Sequence, residues 1–204
     1  MERIGIFGGS FDPVHTAHLA LAREAQQHLR LDTVLWVPVG QPWQKSRVLA
    51  PATHRAQMIR LAIADDPRFQ LEPCELNRAG PSYTVDTVRL LAQRHPQAKL
   101  FLIIGQDQYA NFDTWHEWEH ILKYVRLAVA NRAGETPTAP PAVAALKPHV
   151  RVVPLVPTSV SSTTVRSLVA LGRDAASLVP DMLPAAVARY IDHHHLYHPQ
   201  PTPR

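Results

Sequence analysis

Cysteine is almost missing from this sequence: Cys74 is the only one in 204 residues. No intrachain disulfide can form, which excludes a cross-linked scaffold and agrees with a reducing compartment. A long apolar run is missing as well. Nothing in the sequence approaches the roughly 18 consecutive apolar residues that a membrane-spanning helix needs, so no membrane association is expected. The first residues, MERIGIFGGSFDP, contain no basic stretch leading into a long apolar one. A secretory signal is therefore not expected, and the expected location is cytoplasmic. Strong charge of one sign is absent too: 21 Lys and Arg face 17 Asp and Glu, a net +4. The cationic residues are scattered rather than gathered in a stripe. That argues against nucleic acid as a partner, while the mild positive balance favours small anionic ligands. No internal repeat is visible.

What the sequence does contain suits a globular enzyme. Apolar residues make up 46% and charged residues 19%, enough for one sizeable core in one domain. Residues 1–198 are expected to form that domain and 199–204 (PQPTPR) a flexible tail. Short apolar runs alternate with segments of helical spacing. Strands are expected at 3–7, 33–39, Phe69–Leu71, 100–104, 125–130 and 150–155. Helices are expected at 17–29, 53–64, from a cap at Ser82 to about Arg94, from a cap at Thr114 to Lys123, at 162–171 and at 184–194. The stretch 134–148 (GETPTAPPAVAALKP) reads as a surface excursion. The fold class that follows is α/β: a single-domain, doubly wound, Rossmann-like parallel sheet with C-terminal helices. Open sheets of this kind bind ligands at the carboxyl ends of their strands, where the strand order reverses.

The chemistry concentrates first in GGSFDPVHTAHL, residues 8–19, directly behind the first strand. Gly8 and Gly9 allow main chain to approach a ligand closely. The helix start behind them offers N–H donors and a positive dipole end, a seat for phosphate. The lysine of a Walker A loop and the three spaced glycines of the dinucleotide fingerprint are both missing. His15 and His18, three apart at the helix start, are left as the groups that meet phosphate charge. Read alone, His15 could cap the turn and His18 could be an ordinary core or surface histidine. Zinc is the other ligand such a pair suggests, but no third ligand sits at a suitable spacing.

With these residues in view, the segment 8–19 resembles the signature of the nucleotidyltransferase superfamily: Gly-x-Phe-Asp-Pro-x-His, two residues, His. Within it the chain looks like the bacterial nicotinate mononucleotide adenylyltransferases. GQPWQK at 40–45, GPSYTVDT at 80–87, FLIIGQD at 101–107, WHEWEHIL at 115–122, SSTTVRSLV at 161–169 and YIDHHHLY at 190–197 carry that resemblance in the family's order.

The resemblance implies that the 5′-phosphate of nicotinate mononucleotide attacks the α-phosphorus of ATP, giving deamido-NAD and pyrophosphate. The substrate supplies the nucleophile, so the protein contributes position and charge neutralisation. His15 and His18 would then hold the triphosphate, His18 nearest the α-phosphate, and Arg166 would act on the β and γ oxygens. Gly8, Gly9, Ser10 and Phe11, with Ser161, Ser162 and Thr163 of the arginine's motif, would complete the ATP site. Ser162 would cap the helix that carries Arg166. Gly105 would admit the adenosine, Asp107 would accept from a ribose, and Arg132 would touch adenosine or phosphate. Tyr83, Thr84 and Trp115 would form the nicotinate pocket, with Trp115 packed on the pyridine ring and Trp118 anchored in the core. Lys45 would reach a substrate phosphate, although Trp43 and Gln44 stand where the family shows Pro-His.

Mg²⁺ is expected as a passenger on the ATP phosphates, with no protein ligands assigned. The run His193 to His195 reads as a polar helix end rather than a metal site. Other phosphate acceptors remain open: nicotinamide mononucleotide, phosphopantetheine, or a sugar phosphate in a cytidylyl transfer. A nucleotide-binding module without turnover is the alternative outside enzymes. The sequence leaves the oligomeric state undetermined.

Overall fold

A computed structural model describes residues 1–41, 48–132, 134–156 and 158–198. Lys45 and the 199–204 tail lie outside them. Six parallel strands form one sheet: β1 (Arg3–Gly9), β2 (Thr33–Pro38), β3 (Phe69–Leu71), β4 (Lys99–Gly105), β5 (Arg126–Asn131) and β6 (Val150–Pro154). Their order is β3-β2-β1-β4-β5-β6. The chain builds outward from β1 to β3, then returns to lay β4 against the other side of β1. The order therefore reverses between β1 and β4, where their carboxyl ends leave a crevice.

Alternation along the strands explains the layering. In β4, Leu100, Leu102 and Ile104 join one buried cluster, and Phe101 and Ile103 join the other. Successive side chains of a strand point to opposite faces, so both faces of this sheet are apolar and each needs a helical cover. One face packs under α1 (Thr16–Leu29), α2 (Ala52–Ile63), α7 (Ser162–Ala170) and α8 (Ala185–His193). The other lies under α3 (Thr84–Arg94) and α5 (Trp118–Tyr124). Between α3 and α5 come the one-turn α4 (Gln106–Tyr109) and a short 3₁₀ turn, Phe112–Thr114; α6 (Pro141–Ala145) follows β5. The excursion at 134–148 thus contains α6, which buries Val143.

The element types agree with the sequence expectations, but several caps do not. Tyr83, not Ser82, stands at the N-cap of α3. The Ser82 hydroxyl instead accepts from the main-chain N–H groups of Gly40 (3.0 Å) and Gln41 (3.2 Å). Ser161, not Ser162, caps α7 and accepts from the N–H of Thr164 at 3.0 Å. Thr114 closes the 3₁₀ turn, and α5 begins only at Trp118, after Glu117 with φ +48°. Ser82 and Ser162 each had a local use in sequence and a distant partner in three dimensions.

Candidate active site

The loop from Ser10 to His15 leaves β1 at the crevice and enters α1. His15 is the N-cap of α1, and its main-chain N–H donates to His18 Nδ1 at 3.2 Å. Accepting there fixes the tautomer: neutral His18 must carry its proton on Nε2, which becomes the donor. The two rings stack with centroids 3.6 Å apart and planes at 25°, and the edge of His18 packs 5.0 Å from Phe11. His15 is 6% exposed, and burial pushes its pKa down from 6.5 to about 4. It is therefore neutral near pH 7 before a ligand arrives, because desolvation disfavours the charged form. Its Nδ1 is buried with no hydrogen-bond partner among the described residues.

The first N–H of α1 is not left for a ligand: Thr16 donates it to the carbonyl of Met182 at 3.0 Å. The phosphate seat expected at this helix end thus has one donor fewer, because the segment before α8 has taken it. Phe11 also departs from expectation. Its ring is fully buried against Phe7 and Trp36, so only its main chain is left to meet a ligand.

Helix α7 docks on this same loop from a distance of about 150 residues. The Ser162 hydroxyl donates to the carbonyl of Pro13 at 2.9 Å. The Arg166 guanidinium donates to the carbonyl of Asp12 at 2.7 Å and to the Thr163 hydroxyl at 3.2 Å. Arg166 is thereby oriented by the loop that carries the histidine pair. Asp12 itself is fully buried, and its Oδ1 receives the Tyr197 hydroxyl at 2.7 Å and the N–H of Ala50 at 3.3 Å.

Sequence reasoning missed Arg55, which is 2% exposed. Its guanidinium donates to three carbonyls: Ala50 at 3.0 Å, Ser10 at 2.9 Å and Val39 at 2.8 Å. It therefore ties together the ends of β1 and β2 and the entry to α2. No local pattern marks it, since an arginine in a helix normally reads as solvated.

A pocket opens on the other side of the β1 end. Gly8, Gly9 and Ser10 form one wall, and Thr84 and Trp115 stand among the residues of the others. A Cβ built on Gly8 would meet nothing within 4 Å, so the missing side chain leaves open space for a ligand. Trp115 sits at the end of the 3₁₀ turn rather than in α5, held against Phe112 at 5.1 Å. Tyr83 does not line the pocket directly but stacks on His116, which does, at 4.1 Å. Glu75, Ser82, Thr87 and Gln108 also line it; none of them was expected at a site, and Ser82 was read only as a helix cap.

The remaining candidates follow the carboxyl edge of the sheet. Gly105 ends β4, and its N–H donates to the Gln108 side chain at 3.1 Å. Asp107 is exposed in the first turn of α4. Arg132 follows β5 and faces Glu135 at 3.9 Å, with its side chain 69% exposed. Because all six strands are parallel, their carboxyl ends share one edge, which places these residues beside the crevice without bringing them into the pocket. Of the C-terminal histidines, His193 ends α8, and His194, packed on Tyr190 and His54, lines a second pocket with His195, Asp12 and Arg166. Among the described residues, no three His, Cys, Asp or Glu side chains gather where they could hold a metal ion. No helix among them is long and apolar enough to cross a membrane.

Comparison with known proteins adds four findings. A family model described as cytidylyltransferase-like matches residues 6–168. A relative from Methylibium petroleiphilum, named a "probable nicotinate-nucleotide adenylyltransferase", is 52% identical over 97% of this chain and 93% of its own length. Another with that name, from Bordetella petrii, is 47% identical over 97% of this chain and 100% of its own length. Among solved structures, the Plasmodium falciparum nicotinic acid mononucleotide adenylyltransferase complexed with NaAD superposes with a TM-score of 0.79. It is 19% identical, with 97% of this chain and 98% of that one covered, and so shares the fold.

Proposed function

We infer that this chain, which belongs to the cytidylyltransferase-like family and within it to the nicotinate-nucleotide adenylyltransferases, transfers the AMP part of ATP to nicotinate mononucleotide. The products are deamido-NAD and pyrophosphate, a step in making NAD. A 5′-phosphate oxygen of the mononucleotide forms a bond to the α-phosphorus. The bond from that phosphorus to the bridging oxygen breaks, and pyrophosphate leaves with the electron pair. Residues 1–198 are the unit that carries this activity, and the reading places it in the cytoplasm.

The observation that carries the reading is the docking of α7 on the loop 10–15. It brings Arg166 of α7 against the loop that leads into His15 and His18, while Ser10 of that loop lines the pocket that Thr84 and Trp115 share. ATP phosphates would lie on the loop side and the pyridine ring in the pocket. The reacting atoms would meet at the β1 end, where the glycines leave room. Catalysis would consist of holding them in line and stabilising charge on the transferred phosphoryl group. His18 Nε2–H would donate near the α-phosphate. His15, neutral in the free protein, would gain a proton as polyphosphate approaches, since a nearby anion favours the charged form. Arg166 and Lys45 would neutralise the remaining oxygens. Gly105, Asp107 and Arg132 would receive the adenosine along the sheet edge. Mg²⁺ would arrive with ATP and screen the phosphates.

The test is pyrophosphate release from the purified protein with Mg·ATP and either nicotinate or nicotinamide mononucleotide. Strong release with the acid and little with the amide supports the reading. Release with the amide alone would keep the mechanism and change the substrate. Release with neither would overturn it.

A further inference from the structure

The pocket beside β1 contains a carboxylate for which the phosphate chemistry has no use. Glu75 lies in the turn after β3 and is 8% exposed, yet it lines the pocket that Trp115 and Thr84 share. The Thr87 hydroxyl donates to its Oε1 at 2.7 Å, and Arg78 donates in turn to the Thr87 oxygen at 2.8 Å. Arg78 stands 4.0 Å from Glu75 Oε1 and 3.8 Å from Asp86. The Ser82 oxygen, which accepts from two main-chain N–H groups, lines the same pocket. The position is also built tightly. A Cβ on Gly40 would stand 2.2 Å from the Glu75 carbonyl oxygen, and only glycine fits there.

We propose that Glu75 is the counter-charge for a cationic ring: the pocket selects an N-glycosylated pyridinium, with the indole of Trp115 on one wall and the Glu75 carboxylate on another. The inference rests on the acceptor assigned under Proposed function. In any pyridine mononucleotide the ring nitrogen is bonded to ribose and carries a full positive charge. An indole face attracts a cation through its quadrupole, and a buried carboxylate does so more strongly, because screening is weak away from water. Burial raises the pKa of Glu75 despite the donors around it. Those donors therefore do not fully compensate the desolvated carboxylate, and an arriving cation would. The consequence is discrimination by ring charge, against neutral bases and against reduced pyridine rings of the same shape. It is independent of the acid or amide substituent.

The experiment is calorimetric titration of the full chain with nicotinate mononucleotide and with its 1,4-dihydro form. The two share carboxylate and phosphate and differ in ring charge. The wild type should favour the cationic ring by about tenfold or more, the scale of one partly screened charge pair. Glu75→Gln should cut that ratio by about tenfold. A ratio within about twofold of the wild type, in a variant that still unfolds cooperatively, overturns the proposal. Should Glu75→Gln fail to fold, Arg78→Gln decides. Removing the cation that shares the carboxylate should raise the ratio, and an unchanged or lower ratio overturns the proposal. A wild type that binds ATP but neither ring form overturns the acceptor reading and this inference together. Both ring forms bound with an unmoved ratio overturns this inference alone.

Discussion

The Tyr197 hydroxyl donates to Oδ1 of Asp12 at 2.7 Å across 185 residues of sequence. The end of the described chain is thereby fastened to the loop that carries the histidine pair and receives Arg166. The residues flanking this fastening are in unusual conformations: φ is +50° at His195 and +68° at Tyr197. Non-glycine residues in that region cost on the order of 1–3 kcal/mol each, so surrounding contacts must hold them there.

Tyr197→Phe keeps the ring and removes the donor to a buried carboxylate. We expect a loss of about 1–3 kcal/mol in stability, the range for leaving a buried polar group short of a partner. The midpoint of thermal unfolding should fall by a few degrees (about 2–4 °C per kcal/mol for a chain of this size). An unchanged midpoint in a differential scan would show that the fastening contributes nothing to the folded state.

His15 gives the protein an acid-sensitive element. Its folded pKa of about 4 lies below the usual 6.5, so the unfolded chain binds the proton more readily. Its stabilising contribution is complete above about pH 6.5, declines as pH falls, and is gone below about 4, in all on the order of 3 kcal/mol. Denaturant titrations of the wild type and His15→Gln between those limits check this. The wild type should lose stability more steeply toward acid than the variant, and parallel curves would reject it.

His18→Ala should lower kcat by about 10²–10³-fold, the usual scale for one group that stabilises developing charge. His18 also accepts the N–H of His15 through Nδ1, so the substitution loosens the start of α1 as well. His18→Asn can keep that acceptor while lacking the Nε2 donor. It should unfold near the wild-type midpoint yet remain as slow as the alanine variant. Asparagine restoring activity to within a few-fold would assign His18 to the helix cap.

Trp115→Ala should raise the KM for nicotinate mononucleotide about tenfold or more, since an aromatic contact on a cationic ring is worth on the order of 1–2 kcal/mol. The KM for ATP should stay near that of the parent. Equal losses for both substrates would place Trp115 in the fold, as its packing on Phe112 allows.

Much of this protein was legible because the information is local. The continuous apolar run at 100–104 and the helical spacing in 17–29 are local patterns of a strand buried on both faces and of a helix. They gave every strand of the sheet to within about two residues. The resemblance carried by Phe11 to His18 and by Ser161 to Arg166 located the loop and the helix that the fold then pressed together. Local reading failed where a side chain had a choice of partners. Ser82 could cap α3, but its oxygen is taken by Gly40 and Gln41. Ser162 could cap α7, but it reaches Pro13 instead. Trp115 was expected in a helix and stands at the end of a 3₁₀ turn.

The sequence by itself determined the alternation of strands and helices, and with the family resemblance it pointed to the parallel sheet and to candidate residues for phosphate and ring. The alternation follows from periodicity within single segments, and the rest from motifs that are local in sequence. Only the tertiary structure decided the rest. It buried Arg55 among three carbonyls and Glu75 in the pocket wall. It also joined Tyr197 to Asp12. Nothing local distinguishes a buried charge from a solvated one. Burial and partners depend on which segments meet, and these segments meet only after the chain has doubled back to set β4 beside β1.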